Sequence, residues 1–404
     1  MSSNPGWVVT TGLILGMGIV TCGGSDPAPA PARSSCWMEQ GAPVATPTWA
    51  AVGSDLAGLP LDALGQTARV DLAPPAGTGT VTLRAFDAAP VGAPACVQLV
   101  QLEDAGGTNW VAPSDPGPYC LGCPTRVSLG IGYGLFVLPS NDRPPPFTAP
   151  LGLRVAALDC PAAPRDGPSA PTHLRLEARF APAVPATRAG QLALGLAFVG
   201  TSPLADPAPR DAVIPTALAM VNQMLAPGQL QAAVVRTRLV DAPETLELVR
   251  NDNHALDEVY QEVRGGAACT PPAEDGWIPI VFVGCIRITD PDLQTSYQPD
   301  GLTPGIPNGF PPPGRAHGIF LKGRSCRPGA DPIDWPPSLL AKLIAHELGH
   351  YLGLYHTVEA DGTLDQLADT DAHNLMFARP LDAEAQDFSP AQFQVMRRHP
   401  AIRW

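Results

Sequence analysis

Eleven consecutive residues, His346-Glu347-Leu348-Gly349-His350-Tyr351-Leu352-Gly353-Leu354-Tyr355-His356, constrain this chain more than any other stretch. On a helix, side chains four residues apart stack on one face, so His346 and His350 can share one ion. Glu347 then stands beside the pair without joining it. Gly353 can adopt positive φ, which ends the helix and turns the chain back, and His356 arrives from the side as a third imidazole. Three neutral nitrogens with an open fourth position suit a catalytic zinc that carries water. Three of the eight histidines of the chain fall at these spacings, which a buried helix with incidental histidines does not require.

The stretch resembles the long zinc-binding signature of the metzincin metallopeptidases, a family that also carries a methionine turn downstream. Asn374-Leu375-Met376-Phe377 stands at a suitable distance, and the resemblance implies that Met376 forms a floor beneath the zinc. His356-Thr357 and Asp369-Thr370, ahead of Asn374-Leu375-Met376, are most similar to the pappalysin-type branch. Some metzincins carry a tyrosine two residues after the methionine. Here that position is Ala378, so a tyrosine that swings on and off the metal is not expected. The resemblance covers residues 335–400 closely and the region from about 189 more loosely. It implies a zinc endopeptidase of protein or peptide substrates, with His346, His350 and His356 as zinc ligands and Glu347 as general base. Two other readings stay open: a non-catalytic cell-surface binding or adhesion protein that keeps the zinc site, and a zinc hydrolase of a non-peptide bond. The intact Glu347 counts against the first, and the Gly353–His356 extension with Met376 counts against the second.

The formal net charge of −13 argues against nucleic acid or an anionic membrane surface as partner, since both ask for a basic face. Trp7 to Thr21 form an apolar run too short to span a bilayer comfortably, where a signal h-region belongs. Ile19-Val20-Thr21-Cys22-Gly23-Gly24-Ser25 then looks like a bacterial lipoprotein signal, with Cys22 lipidated after cleavage, although no Lys or Arg precedes the run. Export to the cell envelope, lipid-anchored at the outer membrane, or secretion is therefore expected, with membrane contact only through that anchor. Apart from Cys22, eight cysteines remain, an even set for disulfides in an oxidising compartment. Cys36 could in principle place a thiolate on the zinc, but a disulfide suits it better, and structural disulfides suit Cys120 and Cys123 better than a redox or zinc knuckle.

With 49 Pro and 40 Gly the chain is rich in turns and linkers. It is expected to be multidomain: a signal or lipoprotein segment over 1–22, a Pro/Ala-rich tether over 23–48, an N-terminal all-β sandwich over 49–182, and a C-terminal α/β (α+β) metzincin-like zinc peptidase domain over 189–404. A monomer is expected. Short period-two segments predict strands over Thr80–Phe86, Cys96–Leu102, Arg126–Leu138, Leu151–Leu158 and His173–Phe180. Ala181–Arg188 reads as a linker. The pattern beyond it predicts a strand at Leu192–Phe198, a helix around Val213–Met224, a strand at Gln231–Val240, a helical segment at Glu247–Val263 and a buried strand at Ile278–Ile286.

Ala316–Leu321 reads as a strand, and the resemblance implies a sheet edge there, on which Gly318, Ile319 and Phe320 would pair with an extended substrate. His317 reads as a solvated edge residue. Asp334 or Ser338 is expected to cap the zinc helix. Asp361, Asp365, Asp369 and Asp371 form an acidic loop that could bind Ca2+ or orient the ligand histidines, a solvated loop being the commoner case. Ser389-Pro390-Ala391-Gln392 is a capping box for a last helix, with a Phe388–Phe393 staple.

Overall fold

The apolar alternation of the N-terminal half folds into two antiparallel sheets in the computed structural model. The structure describes residues 36–40, 47–52, 58–87, 95–113, 126–127, 130–141, 147, 150–158, 172–200, 202–242, 245–250, 254–265, 276–291, 293–312, 314–359, 364–365, 367–371, 373–381 and 387–404. Cys22, Asp361, Cys120 and Cys123 lie outside the described residues.

Five strands dominate this half: β1 (Thr78–Asp87), β2 (Cys96–Glu103), β3 (Tyr133–Leu138), β4 (Leu151–Leu158) and β5 (His173–Pro182). One sheet runs β3-β1-β5 and continues into Ala50–Ala51, with Leu59–Pro60 also pairing with β5. The other runs Val70–Leu72, β4, β2, Gly130–Ile131. Val81, Leu83, Phe136 and Leu176 from the first sheet meet Leu99, Leu151, Leu153 and Val155 from the second in one core. This is the expected sandwich. The strand expected over Arg126–Leu138 is instead broken. Gly132 has φ +76, a value that L side chains rarely adopt, and there the chain passes from one sheet to the other.

In the C-terminal half the chain alternates strand and helix. Its elements are β6 (Gly190–Val199), α1 (Pro207–Leu225), β7 (Leu230–Val240), β8 (Thr245–Val249), α2 (His254–Arg264), β9 (Trp277–Val283), β10 (Cys285–Asp290), β11 (Gly301–Leu302), β12 (Ile319–Lys322), α3 (Pro337–Tyr351) and α4 (Pro390–Met396). A six-stranded sheet runs Met38–Glu39, β7, β6, β9, β12, β11. Its four inner strands are parallel, and both edge strands are antiparallel to their neighbours. Along β9, Ile278, Ile280 and Phe282 face α1 and α3, while Val281 and Val283 face α2 and β8, so period-two alternation covers the sheet on both sides. Among the described residues no helix is long and apolar enough to cross a membrane.

Three expectations are corrected here. The segment Gly318, Ile319, Phe320 is not the sheet edge: Ile319–Lys322 pairs with β9 on one side, and Phe320 and Leu321 pair with β11 on the other. The outermost strand is Gly301–Leu302, contributed by the Pro- and Gly-rich excursion that turn composition alone assigns to a loop. Glu247–Val263 divides into β8, whose residues alternate between buried and exposed, and helix α2. Ile278–Ile286 divides after Val283, and β10 joins a separate sheet, parallel to β8.

The two halves share a core. On β3, Phe136 and Leu138 point into the sandwich, whereas Tyr133 and Leu135 pack with α3 and the six-stranded sheet. Arg84 pairs with Glu177 at 2.5 Å and lies over Trp49, and its Nη1 donates to the Phe310 carbonyl. Residues Ala32–Trp404 accordingly form one compact unit. The tether expected over 23–48 is corrected in its later part, where residues 36–40 belong to that unit. Trp37 packs edge-on against Trp277 at 4.9 Å, Met38–Glu39 pairs with β7, and Cys36 is disulfide-bonded. A further disulfide joins Cys285 to Cys326.

Asn308, 1% exposed, fastens the excursion to three places. Its amide donates to the Tyr351 carbonyl, its side-chain oxygen accepts from the Gly318 amide, and its carbonyl lies 2.9 Å from His399 Nε2. His399 Nδ1 accepts from the Ala401 amide, so the ring is neutral with its proton on Nε2. Burial pushes its pKa down from 6.5 to about 3, against the Asn308 bond. The sign follows: between pH 6.5 and about 3 the unfolded chain takes up a proton here that the folded chain does not. Stability from this group is therefore lost as pH falls, by about 1.4 kcal/mol per pH unit at most. Urea titrations from pH 7 to 4 should show the slope of stability against pH shallower by about one proton in His399→Gln than in wild type.

Candidate metal centre

Helix α3 begins at Pro337, and its N-cap is Pro336 with no side-chain cap, so the capping expected of Asp334 or Ser338 is not used. The Pro336 carbonyl instead accepts from the Leu339 and Leu340 amides. Leu340, Leu343, Ile344, Leu348 and Leu352 seat the helix in the core. It ends as the motif requires. Gly353, at φ +106, donates to the His350 carbonyl, and Leu354 donates to the Gly349 carbonyl, the paired bonds of a Schellman turn. A Cβ on Gly353 would meet nothing closer than 3.7 Å. Backbone conformation, rather than space, asks for glycine there.

His346, His350 and His356 converge so that one ring nitrogen from each lies within 4.8 Å of the others. His350 Nε2 and His356 Nε2 are 3.1 Å apart. Every Nδ1 faces an acceptor: the Leu375 carbonyl for His346 (2.8 Å), the Leu354 carbonyl for His350 (2.8 Å) and the Glu359 carboxylate for His356 (2.9 Å). Acceptors at all three positions place the proton on Nδ1 and leave the Nε2 lone pairs pointing at one another. Burial lowers the pKa of His346 to about 3, with the Leu375 bond opposing it, so this ring stays neutral. Close lone pairs with no shared proton repel unless a cation lies between them. The donor set therefore fits a zinc ion.

Glu347 lies one turn position from the nest and is 5% exposed. Its Oε2 accepts from the Thr303 hydroxyl at 2.7 Å. Burial raises its pKa to about 7, and the Thr303 bond opposes the shift. Gly301 runs directly over it: a Cβ there would stand 2.6 Å from Glu347 Oε1. The edge strand and Glu347 thus need each other's shape. His317 is neither solvated nor near the nest; half-buried, its Nδ1 lies 3.1 Å from the Tyr351 hydroxyl.

Met376 is fully buried, and its sulfur occupies the space where a Cβ on Gly349 would lie, at 2.4 Å. The loop that carries it is held from α4. Asn374 and Gln392 exchange two amide bonds of 2.9 Å, Gln392 Oε1 also accepts from the Ser389 amide, and Asn374 Oδ1 accepts from the Met376 amide. The capping box and the Phe388–Phe393 contact (5.6 Å) are both present. The acidic loop serves the same end. Asp369 accepts from Ser389 Oγ and the Ala391 amide, Asp365 accepts from Thr370, and Asp371 accepts from the His373 amide. Ala378 is exposed, and the nearby Tyr355 hydroxyl donates to the Ile306 carbonyl.

The sequence alone does not mark Thr303, Glu359 or Gln392 as parts of a site, and it marks Asn374 only as the start of the methionine turn. Glu359 had a local signal, an acid three residues after His356, and Gln392 was legible only as a cap. Thr303 had none. Gln392→Leu strips two partners from Asn374 and one from the Ser389 amide, so it should lower stability by about 1–3 kcal/mol in chemical denaturation. An unchanged midpoint would show that the lock carries no energy.

The sequence matches no protein-family model, and no curated protein is significantly similar to it.

Proposed function

We propose that this chain is a zinc-dependent endopeptidase of the metzincin type, with His346, His350 and His356 as zinc ligands and Glu347 as general base. The observation that carries the reading is the convergence of three imidazoles whose outer nitrogens are all occupied. The buried carboxyl of Glu347 neighbours them in the chain, Met376 is buried against Gly349, and the antiparallel edge strand passes over Glu347 at Gly301.

Bound zinc supplies a water acidic enough to be deprotonated near neutral pH. With zinc held by His346, His350 and His356, Glu347 would act as general base for that water and would return the proton to the departing amine, while Thr303 holds Oε2 and so fixes the plane of the carboxyl. β11 offers the sheet edge along which an extended substrate can lie. The disulfide between Cys285 and Cys326, with Cys36 and Cys96 also bonded, supports export to an oxidising compartment, secreted or lipid-anchored through Cys22.

Metal analysis and a peptide-library digest of the purified chain test the reading together. About one zinc per chain is expected, with cleavage abolished by a chelator and restored by zinc. Glu347→Gln should keep its zinc and lose about 10²–10⁴-fold in kcat/KM. A zinc-free protein, or a Glu347→Gln variant that cuts at the wild-type rate, would rule the mechanism out. Zinc without peptide cleavage would return the binding-protein or non-peptide hydrolase reading.

A further inference from the structure

A cavity of about 260 Å³ lies beside β11 and is not used by the zinc nest. Ile131 and Leu135 from the sandwich, Leu248, Leu256 and Ile288 from the C-terminal half, and Leu302 from β11 itself give it apolar walls, and Tyr133, Arg250, Tyr297 and Thr303 with the backbone add polar surface of similar extent. Arg250, the one charged residue in that lining, is spent on Asp290 at 2.9 Å. Val249 and Tyr297 stand at its mouth, 36% and 51% exposed. An apolar space of roughly 150 Å³ already holds a benzene ring, so an aromatic or leucine-sized side chain fits. The cavity is also tied to the chemistry: Thr303 both lines it and bonds Glu347 Oε2.

The direction of β11 decides what reaches the cavity. Gly301 faces Glu347, whereas Leu302 packs with the core on the α2 side of the sheet. An extended chain laid along this edge sends successive side chains to opposite faces. If one side chain faces Glu347, its neighbour faces the side of Leu302 and the cavity.

We propose that this cavity is a specificity pocket for one large uncharged apolar side chain, of the Leu, Met or Phe class, on a peptide paired along β11. The sandwich supplies one of its walls, through Ile131 and Leu135. The inference rests on the peptidase reading, but it concerns recognition, so binding and cleavage can be measured separately.

The full zinc-loaded chain is titrated with fluorescent peptides that differ at one position at a time, and the same peptides are digested. Wild type should bind the Leu and Phe peptides at least about tenfold more tightly than the Ala peptide at one position. Val249→Trp, at the mouth, and Ile131→Trp, from the sandwich side, should each erase that preference while keeping zinc and melting temperature. The two variants approach from separate halves, so misfolding of one leaves the other as a test. Equal affinity for Ala, Leu and Phe peptides in wild type, a preference that survives both substitutions, or no peptide binding at all overturns the pocket. A pocket-dependent preference without cleavage upholds it and removes the peptidase reading. Cleavage without preference does the reverse.

Discussion

His350 Nε2 and His356 Nε2 stand 3.1 Å apart, an approach that one shared cation favours, and much of the surrounding structure serves to hold them there. The Leu375 and Leu354 carbonyls and the Glu359 carboxylate take the outer protons. Those acceptors are themselves fixed. Leu354 follows the Schellman turn at Gly353, and Leu375 lies between Asn374, locked to Gln392, and Met376, packed on Gly349. A nest built this way is organised before any ion enters, because each ring has one tautomer and little freedom to rotate.

The excursion between β10 and β12 joins the nest to the rest of the molecule. Through Thr303 it holds the carboxyl of Glu347, through Asn308 it grips the end of α3 and the start of β12, and through Phe310 it meets Arg84 of the sandwich. At the opposite end of the chain, Arg397 donates to the Gly228, Pro185 and Arg188 carbonyls, and Arg398 donates to the Pro139 carbonyl. The short last helix thus braces the linker, the sandwich and the methionine loop at once. Together with Tyr133 and Leu135 in the shared core, these bonds make the sandwich a structural part of the cleft's surroundings.

Legibility in the sequence followed the range of the interactions. Leu151–Leu158 was readable to the residue, since Leu151, Leu153, Val155 and Ala157 alternate through eight residues bounded by turn formers. The Ser389–Gln392 box and the Gly353 turn were readable because capping is local. The edge of the sheet was not. Ile319–Phe320 has the composition of a strand, but composition does not say which neighbour a strand pairs with, and Gly301–Leu302 carries almost no strand signal of its own. The same holds at Ile278–Ile286, where one apolar run serves two sheets.

The three imidazoles of the nest lie within eleven positions of one another, so helix periodicity and one glycine were enough to place His346, His350 and His356 together and Glu347 beside them. Leu354 and Glu359 tune His350 and His356 from three or four residues away, but the other partners come from afar. Thr303 is 44 residues from Glu347, Leu375 is 29 from His346, and Gln392 is 18 from Asn374. Which of many threonines, carbonyls and amides fills each place is decided by sheet order and loop packing, because a single hydrogen bond across such distances leaves no periodic trace in the chain.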